Sequence, residues 1–220
     1  LADGGMAVEN LLHLARIDIV AIDQNHVLQP VNDEGIALLI GIADIGRVQP
    51  PVLQGIGGGI ILNGEVFRGA NGNAGELGHV PILVDGPWCA CGNSGCLESL
   101  CSGPAIAARA AREIPELAGQ TGAKSVFDLA RTGNRKAARI VGETAEYLGM
   151  GISATINTLA PEMVVVGGGV SKAGRLLFDP LRRCVERRVM PVHRPSVRVV
   201  RAKRGDHAVL LGAAVLALGL

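Results

Sequence analysis

Apolar positions recur with two different periods along this chain, and the changes of period mark out helices and strands. The longest helical pattern runs from Asn134 to Leu159. There Ile140, Val141, Ala145, Leu148, Ile152, Ile156 and Leu159 return at three- and four-residue steps. Pro161 follows, as expected past a helix end. Further helices are predicted over Pro104–Glu113, Ser125–Arg131 with Ser125 as the capping residue, Leu176–Val189, and Asp206–Leu218 capped by Asp206. Val8–Arg16 reads as a short helix, and Gly35–Ile45, mostly apolar, also reads as helix-like. Strand-like runs occur at Ile17–Ile22, Ile60–Leu62, Glu65–Phe67, Val80–Val84, Glu162–Val166 and Val197–Val200. Asn63-Gly64 joins two of them and is a strong signal for a two-residue type I′ hairpin. Strands alternating with helices place the chain in the α/β class.

Composition narrows the picture. Hydrophobic residues make up 48% of the 220, but aromatics only 2%, so the core is built from Ala, Val, Ile and Leu. A net charge of +1 argues against a general affinity for nucleic acid. One basic run, Arg182 to Lys203 and Arg204, reads as a solvated helix face plus strand ends, with an anion-binding surface as the alternative. The apolar stretch Ala208–Leu220 is too short to span a bilayer, which needs about 20 residues. No basic-then-apolar leader opens the sequence, so a cytoplasmic protein is expected. Of the five cysteines, three lie within eight residues, a pattern that favours metal binding over disulfides.

Those three belong to the strongest chemical signal. His79, Cys89, Cys91 and Cys96 form H-x9-C-x-C-x4-C, one imidazole and three thiolates, a complete tetrahedral set for structural zinc. Gly92 and Gly95 permit the tight turns that would bring the sulfurs together. Cys101 and Cys184 sit in helical context and read as small buried residues. A second signal is the run Gly55-Ile56-Gly57-Gly58-Gly59, which could let backbone N–H groups approach an anion or could serve close strand packing. It is not a Walker A loop, because no Gly-Lys-Ser/Thr follows. Glu76 and Glu98 flank the cysteine loop, and carboxylates there can accept hydrogen bonds from several hydroxyls of a polyol. Asn32-Asp33 is a turn signal by itself, although an aspartate can also serve as a general base.

Taken together, GIGGGIILNGEVFRGANGNAGELGH, CACGNSGCLE and PEMVVVGGGVS resemble the ROK family of repressors and sugar kinases. The resemblance covers roughly residues 52–218 and extends to RGDHAVLLGAAVLAL near the end. It implies the actin-like, ribonuclease H-like ATPase fold, mostly the large C-terminal lobe with a reduced N-terminal lobe. On that division residues 1–31 are a remnant of the N-terminal lobe and 32–204 the sugar- and zinc-binding lobe. Residues 205–220 would form a C-terminal helix packing toward the N-terminal lobe.

The implied activity is transfer of the ATP γ-phosphoryl, with Mg²⁺, to a hydroxyl of a hexose or N-acylhexosamine. Carried over by position, Asp33 would be the catalytic base. Asn32, Glu76, His79 and Glu98 would bind the sugar, and His79, Cys89, Cys91 and Cys96 the zinc. Gly55, Gly57, Gly58 and Gly59 would lie near the phosphates, and Gly167, Gly168 and Gly169 near the adenosine. The family pattern also implies a homodimer. The chain departs from that pattern in three places. It has no Asp-x-Gly-Gly-Thr phosphate loop, it has Val52-Leu53-Gln54-Gly55 where Leu-Gly-Thr-Gly is usual, and Glu34-Gly35 follow Asp33 in place of Ala-Asn. A sugar-sensing lobe and the effector domain of a ROK repressor are therefore the alternative readings. The repressor would require a helix-turn-helix upstream.

Overall fold

The computed structural model describes residues 36–42, 56–62 and 65–203. The expected elements over Val8–Arg16, Ile17–Ile22 and Asp206–Leu218 lie outside them. So do Asn32, Asp33 and Gly55.

Five strands form one mixed sheet in the order β3-β2-β1-β4-β5. They are β1 (Ile36–Ile42), β2 (Ile56–Leu62), β3 (Glu65–Phe67), β4 (Met163–Gly167) and β5 (Arg198–Arg201). Pairing is antiparallel for β1 with β2 and for β2 with β3, and parallel for β1 with β4 and β4 with β5. One strand, β2, thus runs against the other four. The β1 segment is a strand and not the helix its composition suggested. An unbroken apolar run fits a buried strand as well as a buried helix, and periodicity cannot separate them. Here the run lies at the centre of the sheet, with β2 on one side and β4 on the other.

The expected hairpin is present: Leu62 pairs with Glu65 and Ile60 with Phe67, leaving two residues for the turn. β2 reaches further back than Ile60, however. Gly57, Gly58 and Gly59 lie inside the strand, each opposite a β1 residue, and do not form a loop.

Between β3 and β4 come a 3₁₀ turn (Leu77–His79), α1 (Leu97–Cys101), α2 (Gly103–Glu113), α3 (Lys124–Arg131) and α4 (Arg135–Leu159). After β4 follow the short α5 (Gly168–Ser171) and α6 (Arg175–Arg188). The expected strand at Val80–Val84 is absent. Pro81 makes an isolated bridge to Cys96, and the N–H groups of Ile82 and Leu83 both donate to the Gly95 carbonyl. The segment is held by the cysteine loop rather than by the sheet.

The 25-residue α4 is the hub: α1, α2, α3 and α6 all pack against it. Its buried face carries Ile140, Leu148, Ile152 and Ile156, and these join Val164 and Val166 of β4 and Leu177 and Leu181 of α6 in one core. Asn134 caps it, its side-chain oxygen accepting from the Ala137 N–H at 3.0 Å. Ser125 does not cap α3. The cap position falls on Ala123, and the Ser125 hydroxyl donates to the Gln120 side chain. No helix among the described residues is long and apolar enough to cross a membrane.

The two polar residues should respond differently to truncation. Loss of an N-cap costs about 1 kcal/mol, so Asn134→Ala should lower the melting temperature by roughly 2–4 °C. Ser125→Ala should leave it within about 1–2 °C, because surface changes away from caps rarely exceed ~0.5 kcal/mol. Thermal unfolding followed by circular dichroism checks both.

Candidate functional site

The loop from Gly75 to Cys96 brings the four expected metal ligands together. The ligand atoms of His79, Cys89, Cys91 and Cys96 all lie within 4.8 Å of one another. A small backbone knot produces this. The Cys89 N–H donates to the Asn93 carbonyl at 2.7 Å, the Gly92 N–H to Cys89 at 3.0 Å, and the Gly95 N–H to Pro87 at 2.8 Å. Trp88 and Ser94 bridge across it. Gly95 is required twice over: its φ is +69°, and a Cβ there would stand 1.8 Å from the Leu83 carbonyl oxygen.

Donor spacing tests whether a metal fits. Tetrahedral zinc with Zn–S of about 2.3 Å and Zn–N of about 2.0–2.1 Å separates its ligand atoms by roughly 3.5–3.8 Å. The His79 Nδ1 to Cys89 Sγ distance is 3.5 Å and the Cys91 Sγ to Cys96 Sγ distance is 3.6 Å. The protonation chemistry agrees. Burial, then hydrogen bonds with Cys91 and Cys89, push the Cys96 thiol up to about 12. Burial also raises Cys89. Exposed Cys91 is brought down to about 7, chiefly by a backbone hydrogen bond from Asn93. Three crowded sulfurs cannot ionise together without a cation among them, and a divalent metal is the species that deprotonates such a set. The residues present fit zinc.

His79 has two faces. Its Nδ1 points at the thiols, and its Nε2 lies 3.9 Å from Glu76 Oε2, on a side that remains partly open to solvent. A metal on Nδ1 would leave Nε2 carrying the proton and free to donate. Glu98 sits on α1, two residues after Cys96. Its Oε2 accepts the Ile56 N–H at 2.8 Å. Ile56 also meets the Glu76–His79 turn from its other side, because a Cβ on Gly78 would stand 2.0 Å from the Ile56 carbonyl oxygen. The Glu98 carboxylate and the turn that carries Glu76 and His79 therefore both meet the first residue of β2.

The same packing explains one glycine of the run. A Cβ on Gly58 would lie 2.6 Å from the Gly75 carbonyl oxygen, and one on Gly75 would lie 2.4 Å from that of Gly58. Close packing of strand against loop thus accounts for glycine at 58. The sequence carried a hint of this contact, two glycine-rich segments 17 residues apart, but not their partnership. It carried no hint that the Ile56 N–H binds Glu98. Gly167 ends β4 opposite Gly41 of the parallel β1, and Gly168, with φ +77°, turns the chain into α5. These glycines lie at the carboxyl ends of parallel strands, where α/β folds place ligands.

Comparison with known proteins identifies the family. The model of the ROK family matches residues 49–219. A glucokinase of Thermotoga maritima is 39% identical over 172 residues, which is 73% of this chain and 54% of that protein. The DNA-binding transcriptional dual regulator NagC of Escherichia coli is 31% identical over 171 residues, 75% of this chain and 42% of that one. Among solved structures, a ROK family glucokinase from Streptomyces griseus in complex with glucose and AMPPNP superposes with a TM-score of 0.72 at 32% identity. The match covers 85% of this chain and 62% of the Streptomyces one. The chain spans about half the length of the curated relatives it matches. It has the actin-like ATPase fold of those sugar kinases, and it belongs to the ROK family.

Proposed function

We propose that this chain carries the sugar-binding part of a ROK sugar kinase that passes the ATP γ-phosphoryl to a hexose hydroxyl. One observation carries the reading: His79 faces three thiols with Nδ1 and Glu76 with Nε2, beside a Glu98 carboxylate fixed by a backbone N–H. A rigid set of acceptors with one imidazole donor suits a polyol. The 39% identity to a glucokinase supports the same substrate class.

In this reading zinc held by His79, Cys89, Cys91 and Cys96 is structural and supplies rigidity to the loop. Glu98 has one oxygen on Ile56 and the other free for a sugar hydroxyl. Glu76 and the His79 Nε2–H contribute an acceptor and a donor, and Asn32 a further hydrogen bond. Asp33 takes the proton from the attacking hydroxyl as that oxygen bonds to the γ-phosphorus and ADP departs. Mg²⁺ would supply charge neutralisation for the phosphates, with the Gly55–Gly59 segment near them and Gly167–Gly169 near the adenosine. Phosphoryl transfer depends on positioning and charge neutralisation more than on covalent chemistry, which is why a stiffened sugar loop matters. A cytoplasmic homodimer completes the proposal.

A second reading, a lobe that binds sugar without phosphorylating it, is favoured by the NagC match over the same stretch. A coupled ADP-release assay with glucose, mannose and N-acetylmannosamine separates the two. Turnover with any of them establishes the kinase. Glucose-dependent thermal stabilisation with no ADP release establishes the sensor.

The metal and the sugar are separately testable. Elemental analysis should find about one zinc per chain, and Cys91→Ser should reduce it severalfold and lower the melting temperature. Glu98→Gln keeps an acceptor for Ile56 but removes the charge. Hexose affinity should fall about tenfold by titration calorimetry, with zinc content unchanged.

A further inference from the structure

Three glycines interrupt the interior of α4: Gly142, Gly149 and Gly151. Glycine weakens a helix relative to alanine, and none of the three needs a positive φ. The surroundings differ. A Cβ on Gly142 would meet nothing within 4 Å. One on Gly149 would press on Cys184 of α6, 2.6 Å from its sulfur. One on Gly151 would meet a single side chain, Leu97, at 2.8 Å from Cδ2, 3.2 Å from Cδ1 and 3.5 Å from Cγ.

Leu97 is the residue between Cys96 and Glu98. It is 1% exposed, so its side chain is enclosed by the core. Its neighbours are also tied down. The Leu97 N–H donates to Val80 at 3.1 Å, Cys96 bridges to Pro81, and the Glu98 carboxylate holds the Ile56 N–H. A methyl group in the notch would displace Leu97, and the displacement would pass into the backbone that aims the Cys96 sulfur and the Glu98 carboxylate. We propose that Gly151 is a positioning residue: the notch it leaves in α4 seats Leu97 and thereby sets a metal ligand and a sugar carboxylate in register. The inference rests on the metal and sugar roles proposed above.

The test compares the three glycines in the full chain. Glucose binding is read by titration calorimetry. The metal site is read by Co²⁺ uptake, through the thiolate charge-transfer and ligand-field bands. Gly142→Ala should raise the melting temperature and leave both readouts unchanged. Gly149→Ala should lower the melting temperature and also leave both unchanged, since its contact is with α6. Gly151→Ala should weaken glucose binding about tenfold and alter the Co²⁺ spectrum. Adding Leu97→Val should restore glucose affinity to within about threefold, because the shorter side chain lacks the two Cδ atoms that crowd the notch.

A Gly151→Ala protein with lowered melting temperature but unaltered glucose affinity and Co²⁺ bands overturns the proposal, as does strict additivity of the two substitutions. If Gly151→Ala is insoluble, recovery of ligand-competent protein by Leu97→Val supports the proposal, and no recovery overturns it. A wild-type chain that takes up Co²⁺ but no hexose refutes the sugar reading and leaves the Co²⁺ arm to decide on Gly151. Uptake of neither overturns both.

Discussion

The structure turns on the contacts that two distant segments make with the first residue of β2. Ile56 gives its N–H to Glu98, and its carbonyl touches the Cα side of Gly78. Two positions along, Gly58 meets Gly75 at a distance that no side chain would permit. A strand at the sheet, a turn bearing Glu76 and His79, and a helix bearing Glu98 are thus joined at one point. Interiors are packed as densely as crystals, so contacts of this kind transmit position with little slack. Chemical groups far apart in the sequence acquire a fixed geometry because the residues between them are small.

The thiol cluster adds a second, electrostatic constraint to the same region. Buried Cys96 and Cys89 resist ionisation, whereas exposed Cys91 ionises near neutrality. A divalent cation among these thiols would displace their protons and tie the loop from His79 to Cys96 into one body. His79 belongs to both systems. One ring nitrogen faces the sulfurs and the other faces Glu76, so ordering the metal side also orders the imidazole edge that a sugar would meet.

A scaffold of this kind can serve catalysis or sensing equally well. A glucokinase and a DNA-binding transcriptional regulator both match this chain over about three quarters of its length. Function lives in the site, and one fold hosts more than one.

Much was legible in the sequence alone. The gathering of His79, Cys89, Cys91 and Cys96 could be read because metal chemistry demands particular residue types at short spacing, and α4 could be read because its apolar stripe repeats over 25 residues. The Asn63-Gly64 hairpin was visible in the same way, since turn chemistry is local. The tertiary structure alone decided three things. It made 36–42 a central strand, because an apolar run takes its conformation from its neighbours. It placed Gly57–Gly59 within β2 and gave Gly58 a partner in Gly75, and it gave Glu98 a partner in Ile56, 42 residues away. Sequence patterns record what a residue needs from its own element. Which distant backbone comes within contact distance is settled only when the elements pack.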